Sequence, residues 1–168
     1  TYGLMAWLPL SATRQDREGD DYEIRSTKCS TLCINRAHSG DGPCERLPAD
    51  FPFAWARRTL EQYVSIRDYY LGDYYPLTPY SQAAEAWMAY QLDRPDHKDG
   101  LVVVLRRPQS PYESARFPLR GRDPSAAYLV TNLDTGERLR QTGRELTEHG
   151  LNAVIFNKPG SALITYRQ

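Results

Sequence analysis

The second half of the chain alternates short apolar runs with turn-forming residues. Seven runs with the character of strands follow one another at roughly ten-residue spacing, namely EAWMAYQLD, GLVVVLRR, YESARFPLR, AAYLVTNLD, ERLR, NAVIFN and SALITYR. Turn sequences such as RPDHKDG, GRDPS and KPGS separate them, and Asp134 to Gly136 marks a hairpin. The pattern predicts an antiparallel β-sandwich of about seven to eight strands over residues 81–168.

Residues 1–80 carry a different pattern. The nearly unbroken apolar run GLMAWLPL, residues 3–10, is typical of a strand buried on both faces, as in a parallel sheet or barrel. After a polar, irregular stretch, apolar side chains recur at three- and four-residue steps from residue 53. They predict one amphipathic helix of about 15 to 19 residues, beginning near Asp50 or Pro52 and ending at Gly72. The predicted fold is mainly β with one long helix, and its boundary lies near residue 80.

Charge excludes some classes of partner. Lys plus Arg and Asp plus Glu number 21 each, so no overall field attracts nucleic acid or an anionic membrane. No apolar run approaches the roughly 18 residues of a membrane span. We therefore expect a soluble protein that binds neither nucleic acid nor membrane, and the motifs predict no cofactor. The chain opens on Thr1 without a leader-like segment, and we expect it to be a piece of a longer polypeptide; removal of an initiator Met or a signal would give the same start.

Three cysteines lie close together with a histidine among them. Cys29, Cys33, His38 and Cys44 have the spacing C-x3-C-x4-H-x5-C, which is one residue longer in two gaps than a zinc knuckle. Three interpretations stay open: plain thiols, a bridge such as Cys33 to Cys44, and a tetrahedral zinc site. The zinc interpretation would make the chain a small interaction module.

The stretch RDYYLGDYYPLTPYS, residues 67–81, holds five tyrosines and two aspartates. Two interpretations stay open here as well. Tyr69, Tyr74, Tyr75 or Tyr80 with Asp73 could form a sugar-binding platform of flat rings and hydrogen-bond acceptors. The interpretation we favour is a buried joint, since tyrosine rings bury much area and their hydroxyls find partners at mixed interfaces.

Several stretches resemble one enzyme family. YYLGDYYPLTPYS, WMAYQLDRPD, VVVLRRPQSPYESARFPLRG, YLVTNLDTGE and the terminal ITYR are similar to the end of the melibiase-type, family 36-like α-galactosidases, which belong to a clan of retaining glycosidases. The resemblance implies the end of a (β/α)8 barrel followed by a C-terminal β-sandwich. Residues 3–10 would be the last barrel strand, and FAWARRTLEQYVSIRDYY the last barrel helix.

The resemblance also implies which residues would contact a sugar. The loop after the last barrel strand would line the barrel mouth, so Trp7, Arg25 and Ser26 are candidate contacts, as is Asp41 in HSGDGPC. Trp7 could equally be a core residue, and Arg25 could pair with a local acid. A galactoside-like carbohydrate is the expected partner.

Catalytic residues are not predicted. No position matches the family's two carboxylates, which a retaining mechanism places about 5 to 5.5 Å apart. One group of acids does cluster, and we interpret it as a solvated loop rather than a catalytic pair: Asp16, Glu18, Asp20, Asp21 and Glu23.

Two main hypotheses follow. The chain is either the C-terminal portion of an α-galactosidase-like hydrolase that completes and braces a barrel without activity of its own, or a self-standing carbohydrate-binding β-sandwich. The first predicts exposed apolar surface around residues 3–10 and 53–66, and a homo-oligomer formed through that surface. The second predicts those surfaces covered.

Overall fold

The computed structural model describes residues 5, 20–27, 30–32 and 51–168, and every structural statement below concerns these residues. They form three α-helices and eight strands, with 3-10 turns at Arg67–Leu71 and Pro95–His97. The helices are α1 (Asp21–Thr27), α2 (Phe53–Ile66) and α3 (Gly143–Glu148). The strands are β1 (Asp73–Pro76), β2 (Trp87–Arg94), β3 (Asp99–Arg106), β4 (Ser114–Phe117), β5 (Ala127–Asn132), β6 (Arg138–Thr142), β7 (Leu151–Val154) and β8 (Gly160–Arg167).

The described strands form two antiparallel sheets. Six of them pair in the order β1-β2-β3-β8-β5-β6, and β4 pairs with β7. Each of the seven predicted runs contributes a strand, and the fold is the predicted β-sandwich. The hairpin at Asp134 to Gly136 is confirmed: Asn132 Oδ1 accepts hydrogen bonds from the Asp134 and Thr135 amides at 2.9 and 3.3 Å, and Gly136 has a φ of +75°.

The central strands β2, β3 and β8 of the six-stranded sheet are buried on both faces. In β3, Val102 and Val104 point to one face, and Leu101 and Val103 point to the other. The first face packs against the small sheet and α3, through Phe117, Leu119, Leu146, Leu151, Ala153 and Ile155. The second face packs against Met5, Ile66 and Tyr70, of which the last two lie at the end of α2 and in the turn after it. The molecule is therefore layered, with the large sheet in the middle.

Helix α2 is shorter than predicted because its last turn tightens. It covers 14 residues and continues directly into the 3-10 turn that ends at Leu71. Pro52 occupies the N-cap without a side-chain hydrogen bond, and Asp50 lies outside the described residues. Gly72 follows in an extended conformation, and a Cβ there would lie 2.3 Å from the Asp93 carbonyl oxygen. Gly72 is thus required by the close approach of β2 rather than by a left-handed helix end.

Four predictions need correction. Residues 21–27 form α1 within a stretch expected to be irregular, so Asp20, Asp21 and Glu23 do not lie in a loose solvated loop. Part of the expected connector is β1, and α3 was not predicted. Only Met5 is described within the predicted strand 3–10, and its backbone is helical and its side chain buried.

A polar network is buried between the two sheets. The Arg122 guanidinium donates to Asp93 Oδ1, and the Tyr166 hydroxyl donates to the same oxygen at 2.8 Å. The Gln91 amide donates to the Tyr166 hydroxyl at 2.8 Å, and the Arg120 amide donates to Gln91 Oε1 at 2.8 Å. Burial raises the pKa of Asp93, and hydrogen bonding from Tyr166 and the charge of Arg122 oppose that shift. The network ties the loop at residues 120–122 to β2 and β8.

Candidate functional site

A cleft of about 480 Å³ opens between α1, the connector after β1 and the ends of β2 and β3. We call it the aromatic cleft. Its lining combines tyrosine rings, apolar side chains and a few polar groups. The lining residues are Tyr22, Ser26, Tyr80, Gln82, Ala84, Met88, Tyr90, Leu105, Arg107 and Pro108.

Helix α1 forms one wall of the cleft. Asp20 Oδ1 accepts a hydrogen bond from the Glu23 amide at 3.0 Å, which caps the first turn. Asp21 Oδ1 accepts from the Trp55 indole at 2.7 Å, so α1 is held against α2. Ser26 donates its hydroxyl to the Glu23 carbonyl oxygen at 2.8 Å, within its own helix. Tyr22 and Ser26, four residues apart, therefore share the wall that faces the cleft.

Arg107 supplies positive charge to the opposite wall. Its Nη1 donates to the Ala83 carbonyl oxygen at 2.7 Å, and its Nη2 lies 2.8 Å from Met88 Sδ. Neither partner is charged, and among the described residues no carboxylate forms an ion pair with Arg107. The guanidinium is half-buried and held in place.

Two tyrosines give the cleft its aromatic surface. Tyr80 is 66% exposed, and its hydroxyl accepts a hydrogen bond from Gln82 Nε2 at 2.9 Å. Tyr22 is half-buried, and desolvation raises the pKa of its hydroxyl, with the positive charge of Arg107 opposing. Flat rings beside amide, hydroxyl and guanidinium groups suit binding of a ring with apolar C–H faces and polar edges. The described part of the lining includes no Asp or Glu that could act as a catalytic acid or base.

Of the predicted contacts that the structure describes, Ser26 and Tyr80 lie in the aromatic cleft. Arg25 is buried on the other side of α1 and pairs with Asp134, at 3.0 and 2.5 Å. It also donates to Gln62 Oε1 at 3.1 Å and to Ser161 Oγ at 3.3 Å. Arg25 thus joins α1 and α2 to the sheet, through an acid 109 residues away rather than a local one.

The connector tyrosines mostly have structural contacts. Tyr74 packs against the second core face, and its ring centroid lies 5.5 Å from that of Tyr90. Tyr75 is half-buried in β1, opposite Gln91. Tyr69 lies under the Arg94 guanidinium at 4.2 Å. Asp73 is exposed at the start of β1. These contacts are those of a joint between the helix layer and the sheet.

The other predicted positions lie outside the described residues. They are Trp7, Asp41 and the four possible metal ligands Cys29, Cys33, His38 and Cys44. Within the described part of the chain, no three His, Cys, Asp or Glu side chains come together as a metal site.

The sequence analysis missed Tyr22, Gln82 and Arg107 as site residues. Arg107 stood in the quoted stretch VVVLRRPQSPYESARFPLRG, but 85 positions separate it from Tyr22. Nothing local along the chain indicates that α1 folds over the end of β3. Helices in the described ranges are too short or too polar to cross a membrane.

Comparison with known proteins gives a match in structure alone. No protein-family model matches the chain, and no curated protein matches it. Among solved structures, an α-galactosidase of glycoside hydrolase family 36, AgaA from Geobacillus stearothermophilus in complex with raffinose, has a TM-score of 0.56 at 17% identity. The match covers 73% of this chain and 16% of that one.

Two further structures agree. AgaB from the same organism has a TM-score of 0.53 at 19% identity, and covers 73% of this chain and 16% of its own. The galactosidase domain of the α-galactosidase-sucrose kinase AgaSK has a TM-score of 0.51 at 19% identity, with 72% and 16% covered. This chain therefore spans about one sixth of the length of these proteins and has the fold of the C-terminal region of family 36 α-galactosidases.

Proposed function

We propose that this chain is the C-terminal portion of an α-galactosidase-like glycoside hydrolase. It completes and braces a (β/α)8 barrel and has no hydrolytic activity alone. The fold similarity supports the placement, and the described lining of the aromatic cleft, which includes no carboxylate, agrees with a part that binds or braces rather than one that cleaves.

The observation that carries the proposal is the outer face of α2. Phe53, Leu60 and Val64 lie within one narrow arc of the helix and are 60%, 52% and 52% exposed. Trp55, Thr59 and Ile66 lie on the opposite arc and are buried. A helix that is apolar on both faces belongs between two layers, and one of these layers is absent from the described residues. An adjoining barrel helix would supply it.

The test compares this chain with the whole polypeptide encoded by its open reading frame. We expect no turnover of p-nitrophenyl α-galactoside by the chain alone, and turnover by the whole polypeptide. In the whole polypeptide, Leu60→Asp or Val64→Asp should lower the melting temperature by several degrees and activity about tenfold or more, because each places a charge in a buried interface. Ser65→Asp is the matched control, since it adds the same charge on an exposed part of α2 outside the apolar arc.

Two results would reject the proposal. One is a reading frame that encodes nothing before this chain. The other is hydrolysis by the chain alone, which would require a catalytic carboxylate pair within it.

A second candidate function is non-catalytic carbohydrate binding, and the aromatic cleft is the observation that favours it. Exposed and half-buried tyrosine rings, with Gln82, Ser26 and Arg107 at their edges, are the elements of a sugar site. The two functions are compatible, because the outer face of α2 and the cleft use different residues.

A further inference from the structure

We propose that the aromatic cleft selects an acidic sugar, with the pyranose ring against Tyr80 and Tyr22 and its carboxylate on Arg107. This inference deepens the carbohydrate-binding candidate and rests on it. It names a ligand class that neither the fold nor the similar structures indicate.

The guanidinium of Arg107 is placed to bind a ligand carboxylate. A guanidinium has five N–H donors, and the contacts to Ala83 and Met88 engage two of them. Arg25, Arg94 and Arg122 each pair with an aspartate, whereas no described acid pairs with Arg107. A half-buried guanidinium held by neutral groups keeps both its charge and free donors for a ligand carboxylate, which it can bind through two hydrogen bonds.

The charges around Arg107 favour binding of an anion. Among the described residues, none that lines the cleft is acidic. Asp20 acts on Tyr22 from the start of α1, and its Oδ1 caps that helix. The positive charge of Arg107 opposes the rise that desolvation causes in the pKa of the Tyr22 hydroxyl, so the guanidinium acts across the cleft on the wall formed by α1. An anion entering the cleft is therefore attracted.

The rings and polar edges supply the sugar specificity. Tyr80 is largely exposed, and its hydrogen bond from Gln82 orients the ring. Met88 and Leu105 add apolar surface. The C–H face of a pyranose packs on such a surface, while Ser26 and Gln82 can bond its hydroxyls. A space of about 480 Å³ accommodates one or two sugar units.

The experiment is an NMR titration of the intact chain with D-galacturonate and D-galactose. These probes differ at carbon 6 alone, which is a carboxylate in one and a hydroxymethyl group in the other. We expect galacturonate to bind about tenfold or more tightly, since a charge-assisted contact to Arg107 is added. Its affinity should fall as NaCl rises from about 0.05 to about 0.5 M, and that of galactose should not. Sodium acetate tests whether a carboxylate without a ring suffices.

Variants locate the binding. Arg107→Gln should remove the preference for galacturonate, so that the two sugars bind with about the same affinity. Tyr80→Ala should weaken both sugars, and because Tyr80 is 66% exposed this variant should fold even if Arg107→Gln does not. Tyr112→Ala is the matched control, since Tyr112 is 71% exposed and lies outside the cleft lining. It should leave both affinities unchanged.

The possible results distinguish the acidic-sugar inference from the carbohydrate-binding candidate on which it rests. Equal affinities for the two sugars, or acetate binding as tightly as galacturonate, would overturn the acidic-sugar inference while leaving other carbohydrate ligands open. Binding of neither sugar would overturn the inference and the carbohydrate-binding candidate together. Neither result would bear on the bracing function assigned to α2.

Discussion

Asp93 and Arg122 form an ion pair within the core between the two sheets. Their side chains are 3% and 2% exposed, and the Arg122 guanidinium also lies over the Tyr166 ring at 4.5 Å. Such a pair gains little over a well-packed apolar core, because desolvation of both charges offsets their attraction. Removing one partner destabilises the fold, because the remaining charge stays buried without its counter-charge. The network therefore contributes little net stability. Its main effect is to hold the loop at residues 120–122 against the sheet.

We expect Asp93→Asn to lower the free energy of unfolding by about 3 to 5 kcal/mol, because it leaves the Arg122 guanidinium buried without a counter-charge. Urea denaturation of the intact chain would measure the change. Asp96→Asn, at an exposed position three residues along, is the control and should change stability by less than about 0.5 kcal/mol. A loss below about 1 kcal/mol for Asp93→Asn would indicate that Arg122 reaches solvent or another acid.

At the scale of elements, α3 shows how a short helix is fixed by its ends. Thr142 Oγ1 accepts from the Glu145 amide at 3.2 Å, and Glu145 Oε2 accepts from the Thr142 amide at 2.7 Å. This capping box starts the helix directly after β6 and brings Leu146 into the core. The sequence T-x-x-E that encodes it is local.

The cap should make stability depend on pH. Hydrogen bonds from Thr142 lower the pKa of Glu145. A carboxylate with a lowered folded-state pKa contributes stability above its unfolded pKa, and loses it as pH falls through the folded value. We expect Glu145→Gln to have a lower urea midpoint than the native chain at pH 7, and the difference to shrink below about pH 4.

The control for that experiment is Glu148→Gln in the same helix, for which the described structure shows no side-chain hydrogen bond. Its midpoint difference from the native chain should not shrink in the same way. A constant difference for Glu145→Gln across pH 3 to 7 would mean that the amide replaces the carboxylate in the cap.

The strands were predictable from the sequence because their signals are local. The apolar run LVVV and the turn DTGE each lie within a few residues. Helix α1 was missed because seven residues are too few to show a period, although Asp20 followed by Glu23 is a capping signal. The aromatic cleft was beyond prediction for another reason. It joins residues 22, 80 and 107, and the packing of α1 against α2 and the sheet decides their proximity.

At the scale of the whole molecule, the sheet is stable only as a middle layer. Strand β1 pairs with β2, so the sheet crosses the domain boundary predicted near residue 80, which stays a prediction. Five large buried side chains face the helix layer from the other strands: Tyr90, Leu92, Leu101, Val103 and Leu163. Each gains about 1.5 to 3 kcal/mol from full burial. Their sum, at most about 15 kcal/mol, is comparable with the whole stability of a domain.

We therefore expect a fragment of residues 81–168 not to fold as a monomer, although its core against the small sheet would be nearly complete. It should bind a hydrophobic dye such as ANS and lack a cooperative urea transition. The fragment 51–168 is the matched comparison, because it keeps Ile66, Tyr70 and Tyr74 over the same sheet face. It should unfold cooperatively. If both fragments unfolded at the same urea midpoint, the helix layer would contribute no stability to the sandwich. The role of α2 would then be limited to its exposed outer face.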